Sequence, residues 1–256
     1  MVAVLVVSHS RALARAAVAL AREMAPDPAL HLGIAAGLDE DTLGTDAAAV
    51  AEALTAADAA AAGAGVVVLM DLGSAVLAAE LALDLLDDDG LRARVELCPA
   101  PLVEGLVAAA VTASAGAPRA RVVAEALAGL GGKQAHLTQA PAAPPADAAR
   151  PAPPDAAGEV RAEFTVRGEH GLHARPAALL VRRLHGFDAT LELRNLSTGA
   201  GPAAADSLLG VATLAASAGH RIAVSASGPQ ARPAVDALLA LAEQGFDDVA
   251  PGAVSG

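Results

Sequence analysis

Residues 2–10 read VAVLVVSHS: six consecutive apolar residues, then an abrupt polar turn that carries a histidine. An uninterrupted run of this kind, rich in valine, predicts a strand buried on both faces, as in a parallel sheet covered by helices. The segments that follow keep the alternation such a sheet needs. Residues 11–24 space their apolar side chains for a helix, 29–34 read as a strand, and Thr45 or Asp46 can cap a helix running to about 61. Residues 65–70 form the most β-branched strand, 74–86 a helix, 93–97 a strand, and 102–114 and 119–130 two further helices. This order predicts an α/β domain with a parallel sheet over residues 1–135, whose ligands bind beyond the carboxyl ends of the strands. His9 follows directly after the first strand, at that edge.

Six prolines lie between Pro141 and Pro154, padded by alanine and two aspartates. Such a stretch buries little and resists helix and sheet, so 136–158 reads as a linker. The charge divides there too: residues 1–135 carry 8 basic and 17 acidic groups, whereas 159–256 carry 8 and 10. Beyond the linker the order changes. Residues 160–166 alternate as a strand, Pro176 sits in the first turn of a helix reaching about 185, and 190–194 form a strand. A short strand, a helix over 207–217, a strand over 221–227 and a last helix over 231–243 complete the block. This predicts an antiparallel sheet with helices on one face, an α+β open-faced sandwich over 159–256.

Composition narrows the function. The 256 residues include three Phe and no Trp or Tyr, so the cores rest on Ala, Val and Leu and no platform exists for stacking bases. A net charge of −12 disfavours a polyanion held by charge. Nucleic acid is therefore not an expected partner. The single cysteine, Cys98, excludes an internal disulfide and a cysteine-based zinc cluster. The first apolar run is too short for a signal-peptide core, and the longest, 59–70, falls short of the ~20 residues of a spanning helix. A soluble, cytoplasmic protein with no membrane contact is expected.

Two histidines occupy special places. His9 is either a partly exposed loop histidine or a functional one, and its surroundings favour the second reading. Asp71 ends the third strand in LMDLGSA, and the ends of strands one and three can be neighbours. A carboxylate there would orient the imidazole and select its tautomer, and the N–H groups of the helix opening at Gly73 and Ser74 would favour an anion. Neutral imidazole is a competent nucleophile near neutrality, its reference pKa being about 6.5. His173 lies in GEHGLHARPAALLV, between Gly171, which permits a tight turn, and Pro176, which fixes a helix start. A phosphoryl group on that ring would meet unpaired N–H groups and the guanidinium of Arg175. The bland alternative is a helix-capping histidine. Of the others, His31 reads as structural, His136 lies in the linker, His170 as solvated, and His185 and His220 at element ends. No pair has metal-ligand spacing, so no metal site is expected.

Residues GLHARPAALLV, with the later DSLLGVATLAASAGHRIAVSASG, closely resemble HPr, the histidine phosphocarrier of the phosphoenolpyruvate-dependent phosphotransferase system. The likeness covers about 159–246. It implies that His173 is the phosphorylated histidine, Arg175 its partner arginine and Pro176 the helix-starting proline. The first block resembles the mannose-type IIA domain, most closely the variant in the phosphotransferase subunit of dihydroxyacetone kinases, the DhaM family. VLVVSHS, IAAGLDEDTLGTDA, LMDLGSAVLAAELALDLL and CPAPLVEGLVAAAVTASAGA carry that likeness over nearly all of 1–130. It implies that His9 accepts a phosphoryl group beside Asp71. The phosphate-binding candidates are Gly73 and Ser74 in the first block and Arg175, Pro176 and Ala177 in the second.

The resemblance implies a relay. Enzyme I, charged by phosphoenolpyruvate, would phosphorylate His173, His173 would pass the group to His9, and His9 would rephosphorylate ADP held on DhaL, which works with DhaK on dihydroxyacetone. It implies a homodimer, no cofactor and, since the chain ends shortly after the HPr-like region, a separate enzyme I. A linker of about 23 residues, extended at ~3.1 Å per residue, reaches about 70 Å and tethers the two sites at roughly millimolar effective concentration. Ser207 matches a serine that some HPr proteins use for regulatory phosphorylation; here, after Asp206, it reads as a helix cap. Cys98 reads as a small buried residue or a site-lining one, Glu104 as a docking residue or a first-turn carboxylate, and Asp87-Asp88-Asp89-Gly90 as a solvated turn. Two rival readings are a IIA–HPr component of a mannose-family sugar phosphotransferase system and a regulatory module whose phosphorylation state is sensed by a partner.

Overall fold

The computed structural model describes residues 1–131, 159–168, 171–172 and 174–246. The chain forms two compact units, Met1–Gly131 and Gly132–Gly256. The linker expected at 136–158, with His136, lies outside the described residues, as do His170 and His173.

The first unit runs β1 (Ala3–Ser8), α1 (Arg11–Met24), β2 (Leu32–Ala36), α2 (Ala47–Ala61), β3 (Val66–Met70), α3 (Gly73–Asp84), α4 (Asp89–Arg94), β4 (Val95–Cys98), α5 (Leu102–Ser114) and α6 (Arg119–Leu127). All four strands are parallel, in the order β2-β1-β3-β4. The apolar run that opens the chain is the buried heart of this sheet, with every residue of β1 fully buried. Period-two alternation sends Leu5, Val7 and Val68 into a core shared with Val50, Leu54 and Ala57 of α2 and Ala75, Ala79 and Ala82 of α3. Helices α1 and α5 cover the other face. The many alanines on these helices let them lie close to a sheet built of valine and leucine.

Local chemistry sets the ends. Ser10 caps α1 by accepting from the Leu13 N–H (3.2 Å), and Asp46 caps α2 by accepting from Ala48 and Ala49. Two expectations shift. The second strand begins at Leu32 rather than 29, because Asp27 binds the Ala29 N–H through its side chain (2.8 Å) and the Leu30 N–H through its carbonyl (3.1 Å), folding that stretch into a turn. Residues 87–90, expected as a turn, instead launch α4: Asp88 accepts from the Gly90 and Leu91 N–H groups, and Leu91 is buried beneath.

The second unit runs β5 (Val160–Thr165), α7 (Ala174–His185), β6 (Thr190–Asn195), β7 (Ala203–Ala204), α8 (Leu208–Thr213), β8 (Arg221–Ser227) and α9 (Ala231–Glu243). Its sheet is antiparallel, in the order β5-β8-β6-β7, with Phe164 opposite Ile222 and Leu193 opposite Val224. Leu191, Leu193, Ile222 and Val224 are buried, as are Leu180 and Leu184 of α7 and Val235 and Leu238 of α9; α9 packs on β5 and β8, and α7 packs on α9. Glu192 and Arg194 between them are exposed, so one face of the sheet stays open. Helix α8 stops at Thr213, short of the expected 217. The carbonyl of Leu214 is taken by the Asn195 side chain (2.9 Å) and that of Ala216 by the Leu172 N–H (2.7 Å). Ala215 turns left-handed at φ 45°. Among the described residues no helix is long and apolar enough to cross a membrane.

Candidate functional site

From β1 the chain passes to β2 on one side of it and then to β3 on the other. The strand order therefore reverses between β1 and β3, and a crevice opens beyond their carboxyl ends. The register sets Val7 opposite Met70, so His9 and Asp71 leave the sheet side by side. A single pairing of strands thus joins two residues that are 62 positions apart in the chain.

The Asp71 carboxylate is the hub. Its Oδ1 pairs with His9 Nδ1 (2.9 Å) and accepts from the Leu72 N–H (2.7 Å). Its Oδ2 accepts from the His9 N–H (2.9 Å) and from Ser8 Oγ (2.8 Å). Burial pushes the Asp71 carboxyl up, but the hydrogen bonds from His9, Ser8 and Leu72 outweigh it and hold the group below the usual carboxylate range. An ionised acceptor at Nδ1 places the ring proton there, and this network assigns His9 the tautomer with an unprotonated Nε2. Nε2 meets Ser74 Oγ in the first turn of α3. The His9 side chain is 22% exposed against 9% for Asp71, so the ring is reachable while its partner is shielded.

Helix α3 opens at Gly73 without a side-chain cap, and the Gly73 and Ser74 N–H groups meet no acceptor among the described residues. No side chain blocks the approach at Gly73, where an added Cβ would meet nothing within 4 Å. The site therefore combines a nucleophilic nitrogen, an orienting carboxylate, a hydroxyl and a helix N-terminus that favours an anion. This is the equipment for accepting and releasing a phosphoryl group, which asks for positioning and charge stabilisation.

The structure brings His9, Asp71, Gly73 and Ser74 together. In the second unit Arg175 lies exposed in the first turn of α7, with Pro176 and Ala177 buried. Gly171 takes φ 74°, where a Cβ would collide with the Ala216 carbonyl, and Leu172 anchors the same turn. Ser207 caps α8, its Oγ accepting from the Gly210 N–H (2.9 Å). Cys98 is buried at the end of β4, and burial pushes its thiol up. Glu104 lies in the first turn of α5. Sequence reasoning missed Ser8. The signal was available: the first hydroxyl after a doubly buried run is itself buried and needs a partner.

Two family models match the chain: the PTS system fructose IIA component (EIIA-man) over residues 3–123, and the PTS HPr component phosphorylation site over 160–244. Along 250 residues it is 41% identical to the phosphoryl donor subunit DhaM of PEP-dependent dihydroxyacetone kinase from Pantoea ananatis, which covers 97% of this chain and 51% of that protein. The chain is similar to DhaM subunits along nearly its whole length.

The Escherichia coli DhaM is 36% identical over 257 residues, covering 98% of this chain and 52% of that protein. The chain thus spans about half the length of the curated relatives it matches. The phosphocarrier protein HPr of Bacillus anthracis, a solved structure, is 33% identical, with a TM-score of 0.30, over 32% of this chain and 94% of that one. The His9 crevice falls inside the EIIA-man match and His173 inside the HPr match.

Proposed function

We propose that this chain is a phosphoryl relay with two histidines, the phosphoryl donor subunit of a PEP-dependent dihydroxyacetone kinase. One observation carries the reading: Asp71 holds the Nδ1 proton of His9, leaving Nε2 facing Ser74 and the start of α3. In the relay, enzyme I charges His173. The Nε2 lone pair of His9 then attacks the phosphorus, a new N–P bond forms, and the bond to His173 breaks with its electron pair returning to that ring. Ser74 and the Gly73 and Ser74 N–H groups receive the phosphoryl oxygens on His9. Arg175 and the N-terminus of α7 do so at His173. His9 next gives the group to ADP held on DhaL, which serves DhaK. Neither step calls for a cofactor, and the cytoplasm is the compartment where these partners meet.

The test is purified chain with enzyme I and labelled phosphoenolpyruvate, with and without DhaL–ADP. His9→Ala should keep label on His173 and block delivery, and His173→Ala should block charging. Delivery by both variants would refute the assignment. Label passing to a IIB permease domain and not to DhaL–ADP would favour a sugar phosphotransferase role.

The proposal includes a homodimer. Leu77 and Leu81 of α3 and Leu85 at its C-terminal end form an exposed apolar stripe, of the kind association covers. Through the tether, transfer from His173 to His9 is expected to be intramolecular, with an observed rate constant independent of protein concentration. An observed rate constant rising linearly with protein concentration from a zero intercept would exclude that.

A further inference from the structure

Ser8 is fully buried at the carboxyl end of β1, within the site and apart from its assigned groups. Its hydroxyl has one proton and three neighbours. Asp71 Oδ2 lies at 2.8 Å, the Ser10 carbonyl at 3.2 Å, and the Ser10 N–H reaches Oγ at 3.1 Å. The ionised oxygen is both the nearer acceptor and the stronger one, so the proton goes to Asp71, and Oγ accepts from Ser10. That fixes one edge of the carboxylate. With Oδ2 held by Ser8 and the His9 N–H, Oδ1 is left for His9 Nδ1 and the Leu72 N–H. The carboxylate plane then cannot rotate without breaking bonds at both edges.

We propose that Ser8 is a positioning residue for His9: by fixing the Asp71 plane it keeps the ring proton on Nδ1 and Nε2 open for the phosphoryl group. This rests on the reading of His9 as a phosphoryl acceptor. Removing the hydroxyl leaves the Ser10 N–H without its partner and Oδ2 held by the His9 N–H alone, so the carboxylate plane is less firmly fixed. Ring and carboxylate then sample other arrangements, including those with the proton on Nε2, where the nucleophilic lone pair is lost.

The experiment uses the full chain in three forms, Ser8→Ala, Ser8→Thr and Ser10→Ala. Long-range proton–nitrogen NMR of His9 reads the tautomer, and quenched-flow labelling from enzyme I reads transfer to His9. Ser8→Ala is expected to raise the Nε2–H population and to slow transfer about 10- to 100-fold, the range typical of losing an outer-shell partner. Ser8→Thr restores the donor and should hold the wild-type tautomer and most of the rate. Ser10→Ala removes the α1 cap without touching Asp71, so it should lower melting temperature while leaving tautomer and rate within about twofold. A folded Ser8→Ala chain with the wild-type tautomer and rate would overturn the proposal, as would a Ser8→Thr chain as slow as Ser8→Ala. Should wild-type His9 take no label while Ser8→Ala still shifts the tautomer, the acceptor reading fails and the positioning role stands.

Discussion

Replacing Asp71 by asparagine keeps the shape of the site and inverts part of its hydrogen bonding. Four donors converge on the carboxylate at 2.7–2.9 Å, and each oxygen accepts one backbone N–H, from Leu72 at Oδ1 and from His9 at Oδ2. An asparagine offers one acceptor oxygen and one NH₂ donor. Whichever way its amide lies, the NH₂ opposes a backbone N–H that cannot reverse. One shielded donor is left unsatisfied, at a cost of about 1–3 kcal/mol. With the NH₂ toward His9, the ring must accept at Nδ1 and carry its proton on Nε2, which removes the nucleophile. With the NH₂ toward Ser8, the ring keeps its tautomer but its charge-assisted bond becomes a neutral one, weaker by about 1–1.5 kcal/mol, equivalent to roughly 5- to 13-fold in rate if realised at the transition state. Asp71→Asn is therefore expected to charge normally at His173 and to pass label to His9 at least about fivefold more slowly. The assay charges the full chain with enzyme I, quenches it at set times, and partitions label between the two histidine peptides by mass spectrometry. Delivery within threefold of wild type would refute the argument that this carboxylate sets the ring.

The same carboxylate makes stability depend on acid. Its native pKa is depressed, so the unfolded state binds the proton more readily, and stability rises with pH across the window between the native and unfolded values. Its contribution is present above about pH 4, the ordinary carboxylate value, and is lost as pH falls through the native one. Urea unfolding from about pH 3 to 7 should show a steeper acid loss for wild type than for Asp71→Asn. Gly171→Ala places a Cβ against the Ala216 carbonyl at φ 74°, and should destabilise the second unit by about 1–3 kcal/mol and impair charging at His173; calorimetry and the labelling assay check both. Leu77→Asp with Leu81→Asp should leave the folded first unit intact and shift a dimer toward monomer in light scattering, since both side chains are exposed. Ser207→Ala should cost about 1 kcal/mol through loss of the α8 cap, seen in thermal melts. Incubation with an HPr kinase and ATP, then phosphopeptide mapping, checks whether Ser207 also takes phosphate.

Much of this protein was legible in one dimension. A strand buried on both faces needs apolar residues throughout, so 2–7 and 66–70 stand out without a neighbour in view. Asp46 and Ser207 announce helix starts because a cap is a bond across two or three residues. Gly171 and Pro176 mark the turn and helix that flank His173 for the same local reason. Where local chemistry competed, the reading slipped. Asp27 drew residues 27–30 into a turn that overlaps the start of the strand pattern at 29–34, Asp88 made a helix from a run of acids, and Leu172 and Asn195 took the carbonyls that would have lengthened α8.

The sequence by itself determined that His9 directly follows a strand buried on both faces and that His173 stands in the chain between a glycine turn and a proline helix start, because strand burial, glycine turns and proline starts act over a few residues. Only the tertiary structure decided which side chains meet. The parallel register of β1 on β3 brings Asp71 to His9, and the full burial of Ser8 obliges its hydroxyl to find that carboxylate. Those contacts span more than sixty positions and depend on strand order, which no local pattern of residues encodes.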